Sequence, residues 1–174
     1  MTMRHSFLLI ALGFSVVACD HQFDNEDGYV TAVPPGSTAS NGSVSVVIDG
    51  ESVTASLPTG ATFRENVFSF AALNAAGKSR TIAISVRTPG PGTFTVGGAG
   101  SPSVSFLESD GPTTYRWFAA SGRGAGSVTL SFISTDAASG FFSVELVPDS
   151  ATVAAGFTER RFLTGGTFSV AVSR

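Results

Sequence analysis

From residue 43 onward the chain alternates. Apolar side chains fall at every second position in short runs, and Gly, Pro, Asp and Asn interrupt them. That period of two marks strands that bury one face. In SVSVVIDGESVTASL, Asp49-Gly50 stands between two alternating arms, the strongest short hairpin signal. A two-residue turn there pairs Val46 with Val53 and Val44 with Ala55, so turn and apolar face set the same register. NVFSFAALN and RTIAISVRT follow, joined by Ala-Ala-Gly-Lys-Ser, with Ile82, Ile84 and Val86 in phase. TFTV places Phe94 and Val96 together, and SVSFLE and TTYRWFAAS flank Ser109-Asp110-Gly111-Pro112. The last runs are GSVTLSFIST with Val128, Leu130 and Phe132, GFFSVELVP with Phe142, Val144 and Leu146, and GTFSVAVS with Phe168, Val170 and Val172.

No segment of helical length repeats at i, i+3 and i+4; residues 151–157 offer one turn at most. About ten short strands separated by turn signals predict an all-β fold, an antiparallel β-sandwich. A partly closed β-barrel with an interior pocket is the alternative. Residues 43–174 are long enough for one domain with its own core.

The opening segment follows a different pattern. MTMRH carries Arg4, and the uncharged run SFLLIALGFSVVA ends at Ala18. A basic start, a short apolar stretch and small residues at its end predict a secretory signal. The run falls short of the roughly 20 apolar residues of a spanning helix. Val16-Val17-Ala18-Cys19 resembles the lipobox of bacterial lipoproteins. The resemblance implies cleavage between Ala18 and Cys19, a diacylglyceryl group on the Cys19 thiol, and an exported protein held to the membrane of the cell envelope by lipid. Cys19 is the single cysteine, so an internal disulfide is excluded. Two or three acyl chains would hold the protein stably where one would not. Asp20 resembles the inner-membrane retention signal of enteric bacteria, a rule other bacteria do not follow, so inner and outer membrane both stay open.

Residues 19–42 read as a tether, acidic at first and then rich in Pro, Gly, Ser and Thr. Asp24, Asn25, Glu26 and Asp27 before Gly28 do not match calcium-loop spacing, since Gly28 falls where an oxygen ligand belongs. Loss of residues 1–18 removes Arg4 and takes the formal charge from −3 to about −4.

Composition narrows the chemistry. Charged residues make up 13% of the chain against about 25% in typical globular proteins, so Ser, Thr and Gly supply the polar faces. After processing one histidine remains, His21 on the tether, which argues against a Ser-His-Asp site and against zinc or copper held by His and Cys. Glu108, Asp110, Asp136, Glu145, Asp149 and Glu159 are the acids from which a carboxylate hydrolase would have to draw its pair. Most of them fall at predicted turns or on polar faces. GGAGSP and SGRGAG lack the Lys-Ser/Thr and helix of a phosphate loop and read as hairpin connections. A sequence pI near 5.2, with the basic residues spread apart from Arg160-Arg161, excludes nucleic-acid binding. No cofactor and no metal site is expected.

In TTYRWF, Tyr115 and Trp117 share one strand face and Arg116 and Phe118 the other. An exposed Tyr-Trp pair could stack on a sugar and Arg116 could meet an anion, whereas a buried pair would belong to the core. These three are the candidate ligand contacts.

The succession VSVVIDGESVTAS, TIAISVRTPGPGTFTVGG, GSVTLSFISTDAASGFFSVEL and FLTGGTFSVAV resembles a group of small all-β bacterial lipoproteins of unknown function. Their plan has an opening IDG hairpin, a central GTYTL-like strand, an SGTFSF segment and a closing TNGTFDV. Here Phe94 replaces the tyrosine, Phe141 the threonine of SGTFSF, and Thr164-Gly165-Gly166 forms the closing turn. The resemblance implies a fold and a location and brings no activity. The expectation is a non-catalytic, lipid-anchored module that contacts an envelope protein or polymer. The alternative is a carrier of a small apolar ligand in a barrel pocket, and a carboxylate hydrolase ranks third.

Overall fold

The computed structural model describes residues 41–57 and 60–173. Ala18, Cys19, the leader and most of the tether lie outside these residues. Eleven strands and one short helix follow in order: β1 (Gly42–Ile48), β2 (Glu51–Ser56), β3 (Ala61–Arg64), β4 (Val67–Asn74), β5 (Ser79–Arg87), β6 (Gly92–Val96), β7 (Ser103–Asp110), β8 (Thr113–Ala119), β9 (Ala125–Ile133), β10 (Ala137–Pro148), α1 (Ser150–Ala154) and β11 (Arg161–Ser173).

The β1–β2 hairpin has the register its turn dictates, with Val46 opposite Val53 and Val44 opposite Ala55. Asp49 and Gly50 both take positive φ, as a two-residue hairpin turn requires. The four apolar partners are buried, as are Ile82, Ile84 and Val86 of β5 and Phe142, Val144 and Leu146 of β10.

The strands close on themselves. β1, β2, β4, β5, β7, β8, β10 and β11 form a circuit in which each neighbouring pair is antiparallel. β3 wedges between β4 and the end of β11, and β9 with β6 extends the sheet beyond β10. The all-β antiparallel expectation is met, and closure takes the barrel form.

Two long strands make closure possible. β10 and β11 run for 12 and 13 residues, and each changes neighbour along its length. β10 pairs with β9 through Ala138–Glu145 and then with β8 at Val147 and Pro148. Register shifts at Ser139/Gly140 and Phe142/Val144 bend it between those partners. Gly140 permits the bend, because a Cβ there would lie 2.0 Å from the Thr129 carbonyl oxygen and 2.6 Å from the Phe168 ring.

Where paired strands diverge, side chains take over from the backbone ladder. Between β2 and β4 a single backbone pair remains, Ser56 opposite Leu73. Asn74 Nδ2 donates to the Thr54 carbonyl at 2.6 Å, and Arg80 grips both oxygens of Glu51 at 2.7 and 2.9 Å. Arg80 Nε also donates to Glu108 at 3.1 Å, so one guanidinium ties β2, β5 and β7. The Arg80 hydrogen bonds hold the Glu51 carboxyl below its ordinary range, and Glu51 in turn raises Arg80.

The interior is aromatic. Phe68 and Phe70 of β4 meet Phe168 of β11 at centroid distances of 5.9 and 5.1 Å, and Phe106 lies 5.8 Å from Trp117.

Gly140→Ala is expected to destabilise the protein by about 3 kcal/mol, since neither the carbonyl nor the packed ring can retreat. Gly77→Ala, at positive φ with open space around it, should cost only about 1 kcal/mol. Chemical denaturation of both variants checks the difference; equal losses would mean that the Thr129 carbonyl and the Phe168 ring give way to the added methyl.

Candidate functional site

The alternation of TTYRWFA directs the side chains of β8 to opposite faces, and the structure gives each a separate use. Trp117 points inward and is 1% exposed. Its Nε1 donates to the Glu159 carbonyl at 2.9 Å. The Arg161 guanidinium lies 4.6 Å from its ring centroid, and Phe157 meets it edge-on at 6.2 Å. Tyr115 is half-buried against Phe157, with ring centroids 4.4 Å apart. The pair considered as a sugar platform is therefore divided: Trp117 serves the core, and Tyr115 shows only part of its ring.

The backbone edge of β8 is also occupied. Arg116 N donates to Thr152 Oγ1 at 2.8 Å, and Arg116 O accepts from Asp149 N at 3.0 Å. α1 thus covers the stretch of β8 that β10 leaves unpaired. Asp149 caps the helix, its Oδ1 accepting from Thr152 N at 2.8 Å. The Thr152 backbone N–H, helped by the Thr152 side chain and the charge of Arg116, holds the Asp149 carboxyl below its ordinary range.

On the outer face, Arg116 and Phe118 are neighbours two positions apart. The Arg116 guanidinium carbon lies 5.5 Å from the Phe118 ring centroid, and that of Arg123 lies at the same distance. Beside them opens a cleft of about 490 Å³ lined by Gly122, Arg123, Gly124, Glu145, Val147 and Arg160, among others. It sits where β10 leaves β9 for β8. Gly124 fits this corner because a Cβ would come within 2.5 Å of the Glu145 carbonyl oxygen. Arg160 pairs with Glu145 at the cleft wall. Arg116 and Arg123 have no ion-pair partner among the described residues.

Of the three candidate contacts, Arg116 is therefore the exposed one. Sequence reasoning passes over Arg123 and Arg160, reading the first as part of a glycine-rich connection and the second only as half of an adjacent basic pair. The hint in SGRGAG was one long cation among small residues. Its proximity to Arg160 is created by the fold.

Five of the six candidate carboxylates have partners of their own. Glu108 is 8% exposed between Arg80 and Lys78, and Lys78 also reaches Asp110 at 4.0 Å. Asp136 accepts from Ser134, Glu145 pairs with Arg160, and Asp149 caps α1. Glu159 lends its backbone carbonyl to Trp117. Among the described residues no group of three or more His, Cys, Asp or Glu is placed to hold a metal ion.

Asp149 gives a pH signature. Its folded pKa is depressed, so its stabilisation is complete above the unfolded value of about 3.9 and is lost as pH falls through the folded value. Asp149→Ala should cost about 1 kcal/mol at neutral pH through loss of the cap. Asp149→Asn keeps the cap, so it should lose less stability than wild type on acidification below about pH 4. Denaturation midpoints measured between neutral pH and pH 2 check both; identical acid limbs would exclude Asp149 as a contributor.

Compared with protein-family models, with curated proteins and with solved structures, the chain finds no match, so its own geometry carries the functional argument.

Proposed function

We propose that this is a lipid-anchored protein of the bacterial cell envelope whose β domain acts by surface contact and performs no catalysis. The observation that carries the reading is the filled interior. Trp117, Phe68, Phe106 and Phe142 are among the largest fully buried side chains and occupy the space an apolar ligand would need. Four depressions among the described residues lie on outward faces instead, which favours contact over carriage.

The outer surface suits contact with a protein or polymer. One row of side chains crosses six strands in register: Thr93, Thr129, Phe141, Thr167, Ser45 and Thr54. Thr93 and Thr129 share a hydrogen bond at 2.9 Å, and Ser45 and Thr54 one at 3.4 Å. Beside Phe141 lies a depression of about 380 Å³ bordered by Ser127, Phe142, Gly165 and Gly166. Pairing hydroxyls with each other leaves the face polar and uncharged, apart from the apolar step at Phe141. No helix among the described residues is long and apolar enough to cross a membrane. The attachment proposed is the lipid on Cys19, with Ala18 the last residue of the leader.

Cys19→Ser tests the anchor. In cells producing the full chain, the variant should stay unprocessed or leave the membrane fraction, and acyl labelling should disappear. Normal processing and unchanged membrane attachment in that variant would overturn the assignment.

A further inference from the structure

We propose that the cleft at the β8–β10 corner binds a phosphate-class oxyanion, held by Arg123 and Arg160 with Arg116 at its rim. The chain as a whole is acidic, at a formal charge of −3. Even so, Arg123 and Arg160 line one depression, brought there by the connection to β9 and by the segment before β11, and Arg116 of β8 shares the Phe118 ring with Arg123.

Two features set this group apart from solvated surface charge. The first is restraint. Arg116 and Arg123 both lie against the Phe118 ring, whose aromatic face attracts a guanidinium and limits its motion. A guanidinium already held in place loses less entropy when its planar fork takes two oxygens of an anion. The second is unspent capacity. Neither arginine forms an ion pair with a carboxylate among the described residues, although the charge of Arg116 acts on Asp149 from beyond ion-pair distance. Arg80 and Arg161 on the same molecule, by contrast, are paired with Glu51 and Asp49. Gly122 keeps the cleft mouth free of a side chain, and nothing lies within 4 Å of where a Cβ there would be.

Glu145 completes the device. It occupies the cleft wall and holds Arg160. It acts as an internal anion that an incoming oxyanion must displace or share, so removing its charge should strengthen binding. A merely solvated arginine pair gives no such response.

The inference rests on the contact-module reading only in supplying that module with a ligand class. Titration reads the cleft and fractionation reads Cys19, so either can fail alone. Calorimetric titration of the full chain with pyrophosphate, against sodium chloride at matched ionic strength, should show saturable binding. Arg123→Gln should weaken it about tenfold, the loss of one charge-assisted bidentate contact. Glu145→Gln should tighten it severalfold, and Arg87→Gln, outside the cleft, should leave it unchanged. Sedimentation with phosphatidylcholine vesicles, with and without phosphatidylglycerol, identifies the source. A phosphatidylglycerol-dependent gain that Arg123→Gln abolishes points to a lipid headgroup, and pyrophosphate binding without that gain points to a soluble phosphate. No saturable heat beyond the chloride control, equal losses in the Arg123 and Arg87 variants, or weaker binding in Glu145→Gln would each overturn the proposal.

Discussion

Closing the sheet at its corners is the constraint on which the rest of this structure depends. A strand edge left open exposes unpaired backbone donors and acceptors, and this chain has few charges with which to guard one. At the β2–β4 corner the strands touch through one backbone pair, and Asn74 and Arg80 span the remaining gap. At the β8–β10 corner two backbone pairs remain, and α1 supplies the missing partners through Thr152 and Asp149. Trp117 then fixes the returning chain through its bond to the Glu159 carbonyl. Both corners solve the same geometric problem with polar side chains placed where the ladder runs out.

Closure explains how polar and apolar surface are divided. Inside, large rings pack against one another and fill the barrel. Outside, Ser and Thr hydroxyls pair across strands, leaving a neutral surface with few charges. Among the described residues three large apolar side chains break that polar surface: Val153 and Phe157, 44% and 39% exposed, belong to α1 and the loop that follows it, and Phe162, 49% exposed, to the start of β11. The arginine cleft lies at the neighbouring divergence of β8, β9 and β10. The arginine cleft and the structural closure thus meet at one corner, as expected when a rigid barrel positions its connections.

What the sequence made legible was local. The β1–β2 hairpin could be read in full, because Asp49-Gly50 and the apolar alternation specify the same register. β3 escaped notice: it is four residues long, and its turn puts Glu65 and Asn66 at positive φ, where glutamate is not a recognised signal. β10 and β11 were read as starting late, at Gly140 and Gly166, because glycine marks a break. In the structure both glycines lie inside strands, where rings pack against their bare backbones: Phe168 at Gly140 and Phe142 at Gly166. The burial of Trp117 depended on Phe157 and Arg161, some forty residues away, and the meeting of Arg123 with Arg160 on closure itself. Alternation can report which face a residue occupies. Which distant segment covers that face is decided by topology.

Amide hydrogen exchange at the β8–β10 corner tests closure most directly. The N–H groups of Arg116 and Asp149 donate to Thr152 Oγ1 and to the Arg116 carbonyl. If the corner is closed in solution, both should be protected to a degree comparable with Ile84 in the middle of β5, opening only with the domain as a whole. Exchange of both at the rate of exposed amides, with Ile84 still protected, would mean an open sandwich with a loose edge and would contradict the account.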